Sequence, residues 1–214
     1  PEGEVVSARR LRLHAALLPF LLGKTVLKDF EADWLALFIR RYRSGGLNIR
    51  KFFKAGEAEK DEGRPSIKSL KIVDGFVRYI DEKPPGPATF EFSSINAYSY
   101  DTGRGNVYGA EAALDGSPVS ISGIEKDGVV KWTGTVKDLP ASVIDPYFAD
   151  DGFTFGGMSR IFLSYDSGLA NPINAIVFGN GLKIAHPALS APLSVPSASA
   201  RVEASSERDG KRDV

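Results

Sequence analysis

Few side chains in this sequence have types that could support chemistry. They are His14 and His186, the aspartates Asp145, Asp150, Asp151 and Asp166, and two glycine-rich stretches, Gly103–Gly105 and Gly179–Leu182. A zinc or acid–base site needs histidines and carboxylates gathered at ligand spacing. Neither histidine has such neighbours; both sit in apolar, strand-like surroundings and read as structural. The aspartates flank expected turns, where a short carboxylate bonds the nearby backbone. Neither glycine stretch opens a helix after a strand, so neither reads as a phosphate loop. There is no G-x-S-x-G and no cysteine, which removes a nucleophile elbow, thiolate catalysis, disulfides and zinc–thiolate sites together. The expectation is a protein that is not an enzyme and carries no cofactor or metal.

One basic stretch stands out: Arg40, Arg41, Arg43, Arg50, Lys51 and Lys54. Such a run is either a solvated face or a seat for anionic lipid head groups or a membrane surface. Lys+Arg and Asp+Glu both total 27, so the formal net charge is zero, which argues against a nucleic-acid binder. No apolar run reaches the ~18 residues of a membrane-spanning helix. The longest, Ala15–Leu22, is interrupted by Pro19. The sequence opens on Pro1, as expected for part of a longer polypeptide with a signal or anchor ahead of it.

The elements that must position these residues are mainly β. Alternating apolar and polar residues, broken by Gly-containing pairs, recur along the chain. The expected strands begin with Val5–Leu13, Thr25–Trp34 and Leu35–Arg43, with a helix competing for Asp33–Tyr42. Ile67–Val73 and Phe76–Asp81 then read as a hairpin turning at Asp74-Gly75, a pair suited to a type I′ turn. Ala88–Tyr100 loses its phase at Ser93-Ser94, which suggests a bulge. Asn106–Leu114, Pro118–Ile124 and Val129–Val136 form a meander through Asp115-Gly116 and Asp127-Gly128. Further strands are Phe153–Phe155, Ser159–Tyr165, Asn174–Phe178, Gly181–Ile184 and Leu193–Ala204. Short helices are expected at Ala15–Leu22, Ile49–Lys54 (with Asn48 as N-cap) and Leu139–Phe148.

Residues 1–54 therefore read as N-terminal strands and short helices of the sheet. Residues 55–66, dense in charge, read as a flexible linker or loop, 67–204 as an antiparallel segment, and 205–214 as a polar tail.

Several segments, in order, resemble the AsmA-like family of the Gram-negative envelope (AsmA/TamB/YhdP-type proteins), within the wider class of repeating β-groove lipid-transfer proteins. LRLHAALLPFLLGKTVLKDFEADW resembles its opening strand, apolar helix and following strand. RRYRSGGLNIRKFF resembles its arginine–turn–glycine–Asn signature through Arg43, Gly45 or Gly46, and Asn48. SLKIVDGFVRYID and GLKIAHPALSAPLS resemble its recurring hairpin and a later strand. The likeness covers about residues 8–204. It implies a U-shaped groove with an apolar concave face that binds or conducts phospholipid acyl chains between the inner and outer membranes. It also implies a periplasmic setting with the parent protein anchored in the inner membrane. The chain lacks the family's anchor helix and is short for a bridge between membranes.

Candidate lining residues for such a groove are Leu70, Ile72, Phe90, Phe92, Val107, Val119, Ile121, Val130 and Trp132, which alternate in phase along successive strands. The alternative set is Tyr108, Ala110 and Ala112, because sequence does not say which face is concave. Arg40, Arg41, Arg43, Arg50 and Lys51 are the candidates for head-group or membrane contact. The expected partners are phospholipid, a membrane surface and other envelope proteins that add to sheet edges. The competing readings are a non-catalytic envelope scaffold and a β-sandwich protein-binding module.

Overall fold

Ten strands pair in the order in which they occur in the chain, forming one open sheet. The computed structural model describes residues 5–15, 26–49 and 66–204. The strands are β1 (Val6–Ala15), β2 (Val26–Arg41), β3 (Ser66–Asp81), β4 (Ala88–Asp101), β5 (Asn106–Leu114), β6 (Ser117–Lys126), β7 (Val129–Pro140), β8 (Thr154–Asp166), β9 (Ile173–Ala185) and β10 (Leu193–Ala204). The fold is mainly β, as the alternation and Gly turns lead one to expect. Every neighbouring pair is antiparallel except β2–β3, which is parallel. A parallel pair requires a long return connection, and residues 42–65 supply it. The chain on either side of the charged stretch 55–66 thus belongs to one sheet.

The Asp-Gly pairs behave in two ways. Asp115-Gly116 (φ 47° and 85°) and Asp127-Gly128 (φ 53° and 75°) make the tight reversals expected of type I′ turns. Asp74-Gly75 does not turn the chain, and the expected hairpin is a single strand, β3. Asp74 does adopt positive φ (53°), but it kinks the strand instead of reversing it. Gly75 is needed for space: a Cβ there would lie 3.0 Å from Ile72 and 3.2 Å from Ile95.

The same device joins other expected pairs of strands. Thr25–Trp34 and Leu35–Arg43 are one strand, β2, kinked at Trp34 (φ 52°); the competing helix over Asp33–Tyr42 does not form. Phe153–Phe155 and Ser159–Tyr165 are one strand, β8, kinked at Gly157 (φ 96°). Asn174–Phe178 and Gly181–Ile184 are one strand, β9, with Gly181 at φ 58°. Ser94 (φ 51°) is the bulge its sequence suggests, with a register shift between Ser93 and Asn96. At each kink the alternation of faces slips by one residue. Ile72 and Val77 therefore share a face although their numbers differ in parity, as do Phe92 and Ala97.

Among the described residues one 3-10 helix, Ala141–Phe148, lies between β7 and β8. It follows the segment expected to turn helically at Leu139–Phe148. The core sits beneath it: Leu114, Val136 and Leu139 are buried, with Phe90, Phe92, Val119, Val143 and Ile161 packed around them. Of the other expected helices, Ala15 ends β1 and Ile49 lies in a turn. The remainder of both falls outside the described residues, as do 55–65 and 205–214. The helix that Asn48 is expected to cap lies, beyond Ile49, outside the described residues. The Asn48 side chain accepts from Arg40 N (2.9 Å) and donates to Phe38 O (2.8 Å), so it serves the edge of β2 as a surrogate strand partner.

An apolar face as the candidate functional site

Directly paired residues share a face of the sheet, so the register fixes both surfaces. One row crosses all ten strands through Leu11, Ala32, Ile72, Ala97 and Ala110, then Ile121, Gly134, Leu163, Ala175 and Val202. It contains no polar side chain. One residue along each strand, on the opposite face, runs the row Arg12, Glu31, Lys71, Tyr98 and Gly109, then Ser122, Thr133, Ser164, Asn174 and Glu203. The two faces differ in chemistry across the width of the sheet.

The apolar face continues on both sides of its central row. Toward the short helix, Ala112, Val119, Val136, Ile161 and Val177 form a second apolar row. Toward the β6–β7 turn the next row carries aromatics: Tyr108, Gly123, Trp132 and Tyr165 are paired in sequence. A Cβ on Gly123 would sit 2.5 Å from the Tyr108 ring, so glycine here lets that ring lie flat over β6. Trp132 stacks on Tyr165 (5.8 Å, 15°). The Tyr108 hydroxyl donates to Lys131 O at 3.2 Å. Its pKa is raised, chiefly by burial and then by the negative charge of Glu125 and by Tyr165.

Eight of the nine expected lining residues share this face: Leu70, Ile72, Phe90, Phe92, Val119, Ile121, Val130 and Trp132. Val107 does not. It pairs with Tyr100 and Ile124 on the opposite face. The alternative set Tyr108, Ala110 and Ala112 in fact joins the eight, opposite Gly123, Ile121 and Val119. The reason is phase: Val107 is one residue out of step with its neighbours in β5. Sequence reasoning did not place Leu163, Tyr165 or Ile161 on this face, although their period of two was visible. Phe162, equally apolar, points the other way and obscured it.

The polar face is tied by ion pairs: Arg12–Glu31 (3.0 Å), Lys71–Glu31 (3.6 Å), Arg78–Glu91 (2.7 Å) and Lys131–Asp166 (2.8 Å). Its bond from Arg12 lowers the Glu31 pKa, while the Lys131 bond, with Gly168 N, lowers that of Asp166. Apolar groups are not absent from it. Tyr98 stacks beside Tyr100 (5.9 Å, 21°), and Phe162 meets Phe178 edge-on (5.9 Å, 90°). Cavities of about 560 and 870 Å³ have side chains of this face along their walls, among them Lys71, Glu111 and Thr133 in the first and Lys131, Asp166 and Arg201 in the second.

The basic stretch does not form one surface. Arg41 lies on the apolar face, bonded to Asp81 (3.3 Å), which is 2% exposed. Arg40, on the opposite face, pairs with Glu82 at 3.6 Å. Arg43 is exposed in the turn that Tyr42 and Gly46 close. Arg50 and Lys51 lie outside the described residues. The histidines stand apart: His14 faces Asp29 (3.8 Å), and His186 packs against Phe153 (4.7 Å) while its Nδ1 accepts from Ala188 N. Asp145 accepts from Phe155 N at 2.8 Å, fastening the short helix to β8. Among the described residues no three His, Cys, Asp or Glu side chains converge as a metal site would require, and no helix is long and apolar enough to cross a membrane.

No protein-family model, no curated protein and no solved structure matches this chain.

Proposed function

We propose that this chain is a lipid-binding segment of an AsmA-like envelope protein, whose sheet curves into a groove with the apolar face inward. The observation that carries the reading is the ten-strand apolar row set back to back with a polar one. Contiguous exposed apolar surface beyond a few hundred Å² is unusual on a soluble protein and marks a binding surface. Leu11 is 54% exposed, Ile121 39% and Val202 55%, so the row is open to a ligand at these strands, while Ala32 within it is buried. Covering such a face at ~25 cal/mol per Å² yields several kcal/mol per acyl chain. On this reading the segment is part of a longer phospholipid conduit in the periplasm, anchored in the inner membrane. Arg40 and Arg43, with Arg50 and Lys51, would touch an anionic membrane surface, while Arg41 is committed to Asp81. Native mass spectrometry of the purified chain after exposure to phospholipid tests this. Bound lipid is expected, and a chain that takes up none contradicts it.

The cavities on the polar face favour a second reading, a scaffold that docks a polar partner there without moving lipid. In that case the apolar face would be a packing surface for another part of the parent protein.

A further inference from the structure

The two ends of the apolar face differ, and the difference gives a bound lipid a direction. At the end where β3, β5 and β7 finish, the short helix closes the face. Val143 packs on Leu114, Val136 and Leu139, which are 8%, 8% and 4% exposed. Tyr147 bonds Asp81, and Gly86 N donates to Pro146 O at 3.1 Å. At the other end lies the row of Tyr108, Trp132 and Tyr165, with Ile173 beside it 41% exposed. Beyond these rings come polar groups of the same face, Asn106 and Glu125, joined at 3.2 Å.

We infer, resting on the lipid reading above, that an acyl chain lies along the strands. Its ester and head group sit at the aromatic rim, and its terminal methyl stops against the core that the short helix covers. Two physical arguments support this direction. Aromatic rings with a polar tip suit a boundary between an apolar and a wet region, and here they separate the apolar rows from Asn106 and Glu125. The length also fits. From Tyr108 to Ala112, the last residue of this face of β5 before buried Leu114, the strand advances four residues, or ~14 Å at ~3.4 Å each. One acyl chain occupies about half of the ~30 Å hydrocarbon core of a bilayer. The head group therefore lies at the end opposite the basic stretch, where the same face offers Asn106 and Glu125.

Trp132 is one of only two tryptophans, so Trp34→Phe leaves it as the sole indole reporter. The full chain carrying Trp34→Phe is loaded with phosphatidylcholine brominated either near the carbonyl or near the terminal methyl. Expected is the larger loss of Trp132 fluorescence from the carbonyl-proximal bromine. A second variant, Trp34→Phe with Trp132→Phe and Phe92→Trp, places the reporter near the short helix and should reverse the order. Equal quenching by both lipids, as for a chain lying across the strands, overturns the inference. So does a larger loss from the methyl-end lipid at Trp132. If mass spectrometry finds lipid retained but neither reporter is quenched, the lipid is elsewhere and the direction is wrong. If no lipid is retained, the lipid reading itself falls and takes the direction with it.

Discussion

The Tyr147 hydroxyl donates to Asp81 Oδ2 at 3.3 Å, joining residues 66 positions apart in the chain. Asp81 also takes Arg41 Nη1 and, through Oδ1, the backbone N–H of Lys83 at 3.0 Å. The carboxylate is thus the point where β2, β3, the β3–β4 connection and the short helix meet.

Tyr147→Phe should destabilise the chain by about 1 kcal/mol, the net worth of a partly exposed hydrogen bond. Amide exchange at Gly86 should rise with it, since the helix is held there by Pro146 O. The Tyr147 pKa is raised by burial first and by Asp81 second. A tyrosine titration should accordingly lose a late-titrating phenol in this variant. Loss instead of a phenol that titrates in the ordinary range would show that the helix does not hold Tyr147 against Asp81 in solution.

Asp81→Ala should cost more, about 2 kcal/mol, because Arg41 and Tyr147 both lose an ionised acceptor. Chemical denaturation reads this directly. Arg41→Ala should resemble it in direction. A stability unchanged by Arg41→Ala, with weakened binding to anionic vesicles, would instead put Arg41 among the membrane contacts.

Acidification should loosen the β7–β8 end of the polar face. The Asp166 pKa is lowered by Lys131 and by Gly168 N, so its bonded form favours folding above the ordinary carboxylate range. That contribution is lost as pH falls through the lowered value. Lys131→Gln should move the midpoint of the Asp166 carboxyl titration, followed by NMR, to higher pH; an unmoved midpoint would show the pair is not formed.

Asp74 should resist β-branched replacement. Its φ of 53° lies where an L side chain with a branched Cβ is strained, so Asp74→Val should cost about 1–2 kcal/mol. Asp74→Gly should be tolerated far better. Equal melting temperatures for the two variants would contradict a left-handed kink at this position.

That kink also marks where sequence stopped predicting structure. Asp74-Gly75 carries the same letters as Asp115-Gly116, and both aspartates take positive φ. What differs is the surroundings. Asp115-Gly116 joins two strands that pair with each other, whereas Asp74 sits beside Trp34 on a parallel neighbour. Local residue choice encodes the dihedral but not whether the chain reverses. For the same reason the alternation through β5–β7 was legible, since no kink interrupts its central rows. In β2 and β4 the face of every residue past Trp34 and Ser94 depends on a slip that only pairing reveals. The parallel pairing of β2 with β3 depends on a connection whose sequence carries no strand signal. Asp81 was invisible as a junction because its partners are distant in the chain.

The most direct measurement of the central claim compares two neighbouring residues on opposite faces, Ile121→Asp and Ser122→Asp. Both positions are exposed, so neither carboxylate is forced into the core. Each variant is checked for native circular dichroism, exposed to phospholipid and weighed by native mass spectrometry. The account predicts lipid on the wild type and on Ser122→Asp, and its loss from Ile121→Asp. Lipid lost from Ser122→Asp and kept by Ile121→Asp, or absent from all three folded chains, would contradict it.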